Sequence, residues 1–177
     1  NSITKDPDQK LVETILAGGI AKDFGAKKVI LVATYFPYLR QDTHFLKFDS
    51  LSAKHILRLF SHFDKIIAID PHLHRIRKLK DLFYKAESIS VRELIVKYIK
   101  KKLKRDFVIV GPDVESAQWS RPIARLLGKE VIVLKKHRFA PTNVAVKMRK
   151  TDQNNLNGRD VVIIDDIPRC RHAWLDQ

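Results

Sequence analysis

Val161-Val162-Ile163-Ile164-Asp165-Asp166 decides how the chain is read. Four β-branched residues in succession suit a strand buried on both faces of a parallel sheet, where apolar groups wait above and below. Two carboxylates then emerge at the carboxyl end of that strand, the place where ligands bind in open α/β sheets. Adjacent acids cannot both turn into a core, so at least one is expected to face water or a ligand. An acidic strand end opening an ordinary turn fits these six residues equally well. The continuation, Ile167-Pro168-Arg169-Cys170-Arg171-His172, is not a glycine-rich phosphate loop.

The rest of the chain supplies strands and helices in alternation. Asp6-Pro7 is an N-cap followed by proline at the first helical position. Leu11, Val12, Ile15, Leu16 and Ile20 recur at helical spacing, so a helix is expected to run to about Phe24 and close at Gly25. Gly18-Gly19 weakens that helix, and close packing is the expected reason. A short strand over Val29 to Ala33 leads into a long loop, Thr34 to Phe48, and loops after strand ends are where α/β proteins keep their chemistry. A helix from about Ser50 buries Ile56, Leu57, Leu59, Phe60 and Phe63. The strand Ile66 to Ile69 then ends in Asp70-Pro71-His72-Leu73-His74, whose two histidines beside an aspartate could bind a metal but by spacing alone more often mark an ordinary surface.

Ser90-Val91-Arg92-Glu93 has the form of a capping box, and Val91, Leu94, Ile95, Tyr98 and Ile99 continue it as an amphipathic helix. Its basic end, Lys97 to Arg105, resembles a nucleic-acid patch. No aromatic residue beyond Tyr98 interleaves with the lysines, so a solvated helix face is expected instead. Phe107 to Val110 is a strand, followed by Gly111-Pro112-Asp113 and a helix carrying Trp119, Ile123, Leu126 and Leu127 that ends at Gly128. Pro122 is expected to delay or kink that helix. Val131 to Leu134 is the next strand, and Lys135-Lys136-His137-Arg138 opens a polar stretch reaching Gly158. Alternation of this kind means a parallel α/β sheet.

Composition narrows the class of protein further. The 177 residues carry 34 Lys and Arg against 20 Asp and Glu, a net charge of +14 that favours polyanionic partners, from nucleic acid to phosphorylated metabolites. No apolar run approaches bilayer length and no signal peptide is recognisable, so no membrane partner is expected. The single cysteine, Cys170, excludes an internal disulfide and points to a reducing cytoplasm. A chain that starts at Asn1, with Met148 as its only methionine, is expected to lack N-terminal sequence or to have been processed.

Taken together, the strand-end loops resemble those of ribose-phosphate pyrophosphokinase (PRPP synthetase), particularly its archaeal-type members, over about residues 8 to 167. Tyr38-Leu39-Arg40-Gln41-Asp42 is similar to the family's ATP-binding stretch, which implies nucleotide contacts from Arg40, Gln41 and Asp42. Asp70-Pro71-His72 and Gly111-Pro112-Asp113 resemble loops that hold magnesium, which implies Mg²⁺ at His72 and Asp113. Asp113 offers the oxygen such a hard ion prefers, and His72 is the softer of the two. Lys136 and Arg138 fall on the family's mobile catalytic loop, continued by Pro141-Thr142-Asn143-Val144. Val161 to Asp166 is similar to the ribose-binding strand end, with Asp165 and Asp166 accepting hydrogen bonds from sugar hydroxyls.

The resemblance implies a parallel-sheet, phosphoribosyltransferase-like (type I) α/β fold with two related domains, both incomplete: an N-terminal remainder over 1–86 and a C-terminal domain over 87–177. It also implies an ATP- and magnesium-dependent transfer of diphosphate to ribose 5-phosphate in a cytoplasmic homo-oligomer, a dimer or a hexamer built of dimers. Pro168 stands where the family has a Thr-Gly-x-Thr type loop for the 5-phosphate, removing a backbone donor from that cradle. This departure keeps a second reading open, a homologue that binds nucleotide or assembles with active subunits without turnover. A basic nucleic-acid-binding protein is a third reading, and nucleic acid is not the expected partner.

Overall fold

The structure, a computed structural model, describes residues 6–44, 47–73, 75–138, 144–147 and 155–166, with backbone alone at 136–138 and 144–147. The chain divides into two compact units, residues 1–90 and 91–177. His74, Pro141-Thr142-Asn143 and the stretch from Ile167 through Cys170 to the end lie outside the described residues.

The first unit opens with helix α1, Pro7–Asp23. The Asp6 carboxylate accepts from the N–H groups of Asp8 (3.1 Å) and Gln9 (2.9 Å), satisfying two donors that a helix start leaves over. Gly25, at φ +84°, turns the chain out of the helix in a conformation that favours glycine. Strands β1 (Ile30–Ala33), β2 (Lys65–Ile69) and β3 (Ala86–Ile89) then form a parallel sheet in the order β1-β2-β3. Helix α2, Ser52–Leu59, packs Ala53 and Leu57 into a core with Leu39, Phe60, Phe63, Ile66 and Leu79.

Helix α1 uses a narrower face than its periodicity predicts. Leu11 and Gly18 are buried and Ile15 packs on the core, whereas Val12, Leu16 and Ile20 are more than half exposed. Strand β1 has a paired neighbour on one side only among the described residues, and its Ile30 and Val32 are also exposed. Leu59, expected on the buried side of α2, likewise faces water.

In the second unit, helix α3 is Arg92–Lys102, β4 is Phe107–Gly111, helix α4 is Ala117–Leu127, β5 is Val131–Val133 and β8 is Asp160–Ile163. Between β5 and β8 run β6 (Lys135–Arg138) and β7 (Val144–Lys147), an antiparallel ribbon within what the sequence marks only as a polar stretch. The sheet order is β5-β4-β8, all parallel. Every residue of β4 is buried. Phe107 and Ile109 meet Ile99, Ile123 and Ala124, while Val108 and Val110 meet Ile132 and Leu134.

Three expectations are corrected here. β8 is not buried on both faces: Val162 and Ile164 pack on the core, but Val161 and Ile163 are 42% and 55% exposed. Among the described residues β8 pairs with β4 alone, at the edge of the sheet, and only its Val162 and Ile164 side meets the core. Helix α3 takes Val91 as its N-cap residue, one position beyond the Ser90 that the sequence offers. Leu94 and Tyr98 point away from the core, at 67% and 63% exposure, because Ile95, Val96 and Ile99 already fill the inward face. Helix α4 starts at Ala117 and runs on through Pro122, ending at Gly128 with φ +65°.

The glycine pair in α1 yields a paired test. A Cβ on Gly18 would stand 2.6 Å from Phe63 Cε2 and 2.8 Å from His62 Nε2, in a site closed by a buried ring, whereas one on Gly19 meets nothing within 4 Å. Gly18→Ala is expected to cost about 1–3 kcal/mol through overpacking, while Gly19→Ala gains about 0.5–1 kcal/mol from helix propensity. Urea denaturation of both variants checks this, and equal effects would contradict it.

Candidate functional site

The parallel strands of the second unit all point one way, so the residues after β4 and β8 gather at one edge of the sheet. The Ile164 N–H donates to the Val110 carbonyl at 2.9 Å, carrying the β4–β8 ladder one residue past the strand, and Asp165 and Asp166 follow. The Leu134 N–H donates to the Gly111 carbonyl at 2.9 Å, which draws the start of the β6–β7 ribbon to the same edge.

The loop after β4 is fixed by its own side chains. The Ser116 N–H donates to Asp113 Oδ1 at 2.9 Å, and the Ser116 hydroxyl donates to the Asp113 carbonyl at 2.6 Å. The Asp113 N–H reaches Ser116 Oγ at 3.3 Å. Ser116 and Ser120 are fully buried against Gly111, where a Cβ would fall 2.5 Å from Ser116 Oγ and 2.8 Å from Ser120 Oγ. Gly111 is therefore required by close approach. Sequence reading passed over Gly111, Ser116 and Ser120. The signal was glycine before proline at a strand end, with serines at one helical turn's spacing beyond it.

Asp165 carries the electrostatic mark of the site. Its carboxyl reaches solvent at its rim, yet it is pushed up to about 6. Partial burial is the main cause, opposed by the Asp166 N–H that it accepts at 3.0 Å and reinforced by the negative charges of Asp166 and Asp113. Asp113, Asp165 and Asp166 thus share one field, and an incoming hydroxyl or cation relieves it. Lys136 and Arg138 lie two residues apart on β6, opposite Val146 and Val144.

The first unit places its candidates at the ends of β1 and β2. The Asp42 side chain is 2% exposed, and its Oδ2 accepts from the N–H groups of Arg75 (2.8 Å) and Ile76 (2.9 Å). It ties the loop after β1 to the loop after β2, bracing the chain just past His72, itself buried. Gln41 is half-buried and accepts from Ser52 Oγ at 3.1 Å, while Arg40 remains partly open to solvent. Two residues beside them, Tyr38 (φ +64°) and Asp70 (φ +39°), hold left-handed backbone without being glycine, a strain that collects at working sites. A groove of about 240 Å³ lies alongside, between the first turns of α1, residues 31–37 and Phe60.

Among the described residues no group of three or more His, Cys, Asp or Glu is arranged to hold a metal ion. The oxygen donors at the β4–β8 edge nevertheless match a hard divalent cation, which commonly keeps several waters and shares its shell with substrate phosphates.

Asp42→Ala is expected to destabilise the protein by about 2–4 kcal/mol, because two N–H groups lose a buried acceptor. Thermal unfolding reads that loss, and an unchanged melting temperature would refute the bracing role. For Asp165, the folded-state value lies above the ordinary carboxylate value near 3.8, so the folded chain holds the proton longer. Stability from this group therefore falls as pH rises from about 4 to about 6 and levels off above. Asp165→Asn should melt a few degrees higher than the parent at pH 7, with the gap closing near pH 4. A lower melting temperature at pH 7 would contradict the charge crowding.

Comparison with known proteins bears on the family and the fold. The family model described as the N-terminal domain of ribose phosphate pyrophosphokinase matches residues 1–63, and that of the phosphoribosyl transferase domain matches residues 81–168. Ribose-phosphate pyrophosphokinase from Methanopyrus kandleri is 31% identical over 169 residues, covering 94% of this chain and 56% of the relative. The proteins of that name from Pyrococcus abyssi and Saccharolobus solfataricus are 30% and 31% identical, each covering 90% of this chain and 54% of the relative. The crystal structure of phosphoribosylpyrophosphate synthetase from Mycobacterium smegmatis superposes with a TM-score of 0.66 at 21% identity, over 86% of this chain and 49% of that one, which shows a shared fold. The chain spans about half the length of the curated relatives it matches. By these matches, and with a parallel-sheet phosphoribosyltransferase-type fold, it belongs to the ribose-phosphate pyrophosphokinase family.

Proposed function

We propose that this chain forms part of a ribose-phosphate diphosphokinase, which moves the diphosphoryl group of ATP to the anomeric hydroxyl of ribose 5-phosphate, releasing AMP. The observation that carries the proposal is the gathering of Asp113, Asp165 and Asp166 at the carboxyl edge of β4 and β8, with Asp165 held near 6 by burial and neighbouring charge. Carboxylates in that position accept hydrogen bonds from the vicinal hydroxyls of a ribose, and two adjacent acids match two adjacent hydroxyls.

Each remaining residue takes a role consistent with its place. Lys136 and Arg138 stabilise the charge that develops on the transferring phosphate oxygens, where positioning and electrostatics supply most of the rate. Arg40 and Gln41 contact the nucleotide. Asp42 acts chiefly by positioning, since its carboxylate is occupied by the backbone of Arg75 and Ile76. His72 in the first unit and Asp113 in the second are each taken as Mg²⁺ ligands, and the ion when bound neutralises phosphate charge. The reading takes two related domains over 1–86 and 87–177, with bounds near those of the two units, 1–90 and 91–177. A dimer-based homo-oligomer in the cytoplasm completes the reading.

The test is conversion of ATP and ribose 5-phosphate to AMP by the purified full-length protein with magnesium. Product formation dependent on ribose 5-phosphate is expected. Lys136→Ala should lower kcat about 100-fold or more while leaving the KM for ribose 5-phosphate within a few-fold. Wild-type protein that binds ATP without any turnover would overturn the activity.

A further inference from the structure

We propose that the solvent face of α3 is a docking surface for single-stranded nucleic acid, separate from the carboxylate site. Six of the nine residues 97–105 are Lys or Arg, and all six are exposed. The acid that closes the run, Asp106, does not neutralise them. It is held by Lys129 at 2.6 Å and by Arg159 at 3.2 Å, and Arg159 also pairs with Glu130 at 2.8 Å, so this cluster of two cations and two acids balances within itself.

The packing of α3 supplies the aromatic group that a plain charged face would lack. Ile95, Val96 and Ile99 face the core, which leaves Leu94, Lys97, Tyr98 and Lys101 as one outward row at spacing i, i+3, i+4, i+7. Lys97 and Lys101 stand about 6 Å apart along the axis, with the exposed Tyr98 ring beside them. A cation pair flanking an open aromatic face can hold phosphates while a base stacks.

Location separates this surface from the proposed reaction. The lysine end of α3 leads through Leu103–Asp106 into the start of β4, whereas Asp113 and Asp165 follow strand ends at the opposite edge of the sheet. Charge meant for a small phosphorylated substrate has no use there. A lipid surface fits less well, because only Leu94 and Tyr98 are apolar on the exposed row and membrane-bound helices bury a broad apolar face.

The test is fluorescence anisotropy of a labelled oligouridine of about 20 nucleotides with the full chain, at about 50 mM and about 200 mM salt. Binding at low salt that weakens steeply with added salt is expected. Lys97→Gln with Lys101→Gln should make the slope of log K against log salt shallower by about 1.4. Tyr98→Ala should weaken binding about tenfold at unchanged slope, and Tyr98→Phe should retain it. No binding at low salt overturns the proposal. So does binding indifferent to either substitution, or dependence on these residues for anionic vesicles or polyglutamate but not for RNA. Circular dichroism shows that each variant is folded, and all three side chains, Lys97, Tyr98 and Lys101, are exposed enough for that to be expected.

Discussion

Strand β4 can give no side chain to water. All five of its residues are buried, with Phe107 and Ile109 committed to one face and Val108 and Val110 to the other, and both of its edges are hydrogen-bonded to parallel neighbours. Such a strand fixes everything that leaves it. Its last residue has to be glycine, because Ser116 and Ser120 fill the space a Cβ would take. The turn beyond must then close on Asp113, whose carboxylate and backbone are both bonded to Ser116. The carboxylate meets the acids after β8 because the β4–β8 register delivers them to the same edge. Partial burial at that edge raises the Asp165 value, and the charges of Asp166 and Asp113 that the register brings near add to it.

The first unit solves a related problem with a buried charge. Loops after β1 and β2 are long and carry polar sequence between a few apolar anchors, among them Phe36, Leu39 and Leu79. A single Asp42 carboxylate satisfies the N–H groups of Arg75 and Ile76 and joins the two loops beneath the surface. Burying a carboxylate is costly, and the two N–H groups that converge on Oδ2 offset part of that cost while fixing the loop geometry. Gln41, one residue earlier, adds the Ser52 contact that ties the same loop to α2.

Much of this was legible in the chain. Phe107–Gly111 is apolar without alternation, which is what a central parallel strand requires, and Asp6-Pro7 and Gly25 mark the ends of α1 by local chemistry alone. What was not legible depended on neighbours. Val161 to Ile164 is as apolar as β4, yet β8 has one open face, because composition records what a strand tolerates and not what lies above it. Leu94 and Tyr98 obey helical spacing as well as Ile95 and Ile99 do, and only the position of β4 decides which stripe turns inward. The β6–β7 ribbon is held by backbone pairing, which the basic Lys135–Arg138 stretch does not announce. Asp42 sits in a motif that reads as ligand-binding, and its bracing role appears only when Arg75 and Ile76 are brought up against it.

The most direct test of the account is a ¹³C NMR titration of the Asp165 side-chain carboxyl, with and without ribose 5-phosphate. The account predicts a midpoint near 6 in the free protein. It also predicts a lower midpoint with the sugar bound, since hydroxyl donors favour the ionised form. A midpoint in the ordinary carboxylate range, unmoved by ribose 5-phosphate, would contradict the claim that the edge of β4 and β8 is built to receive a sugar.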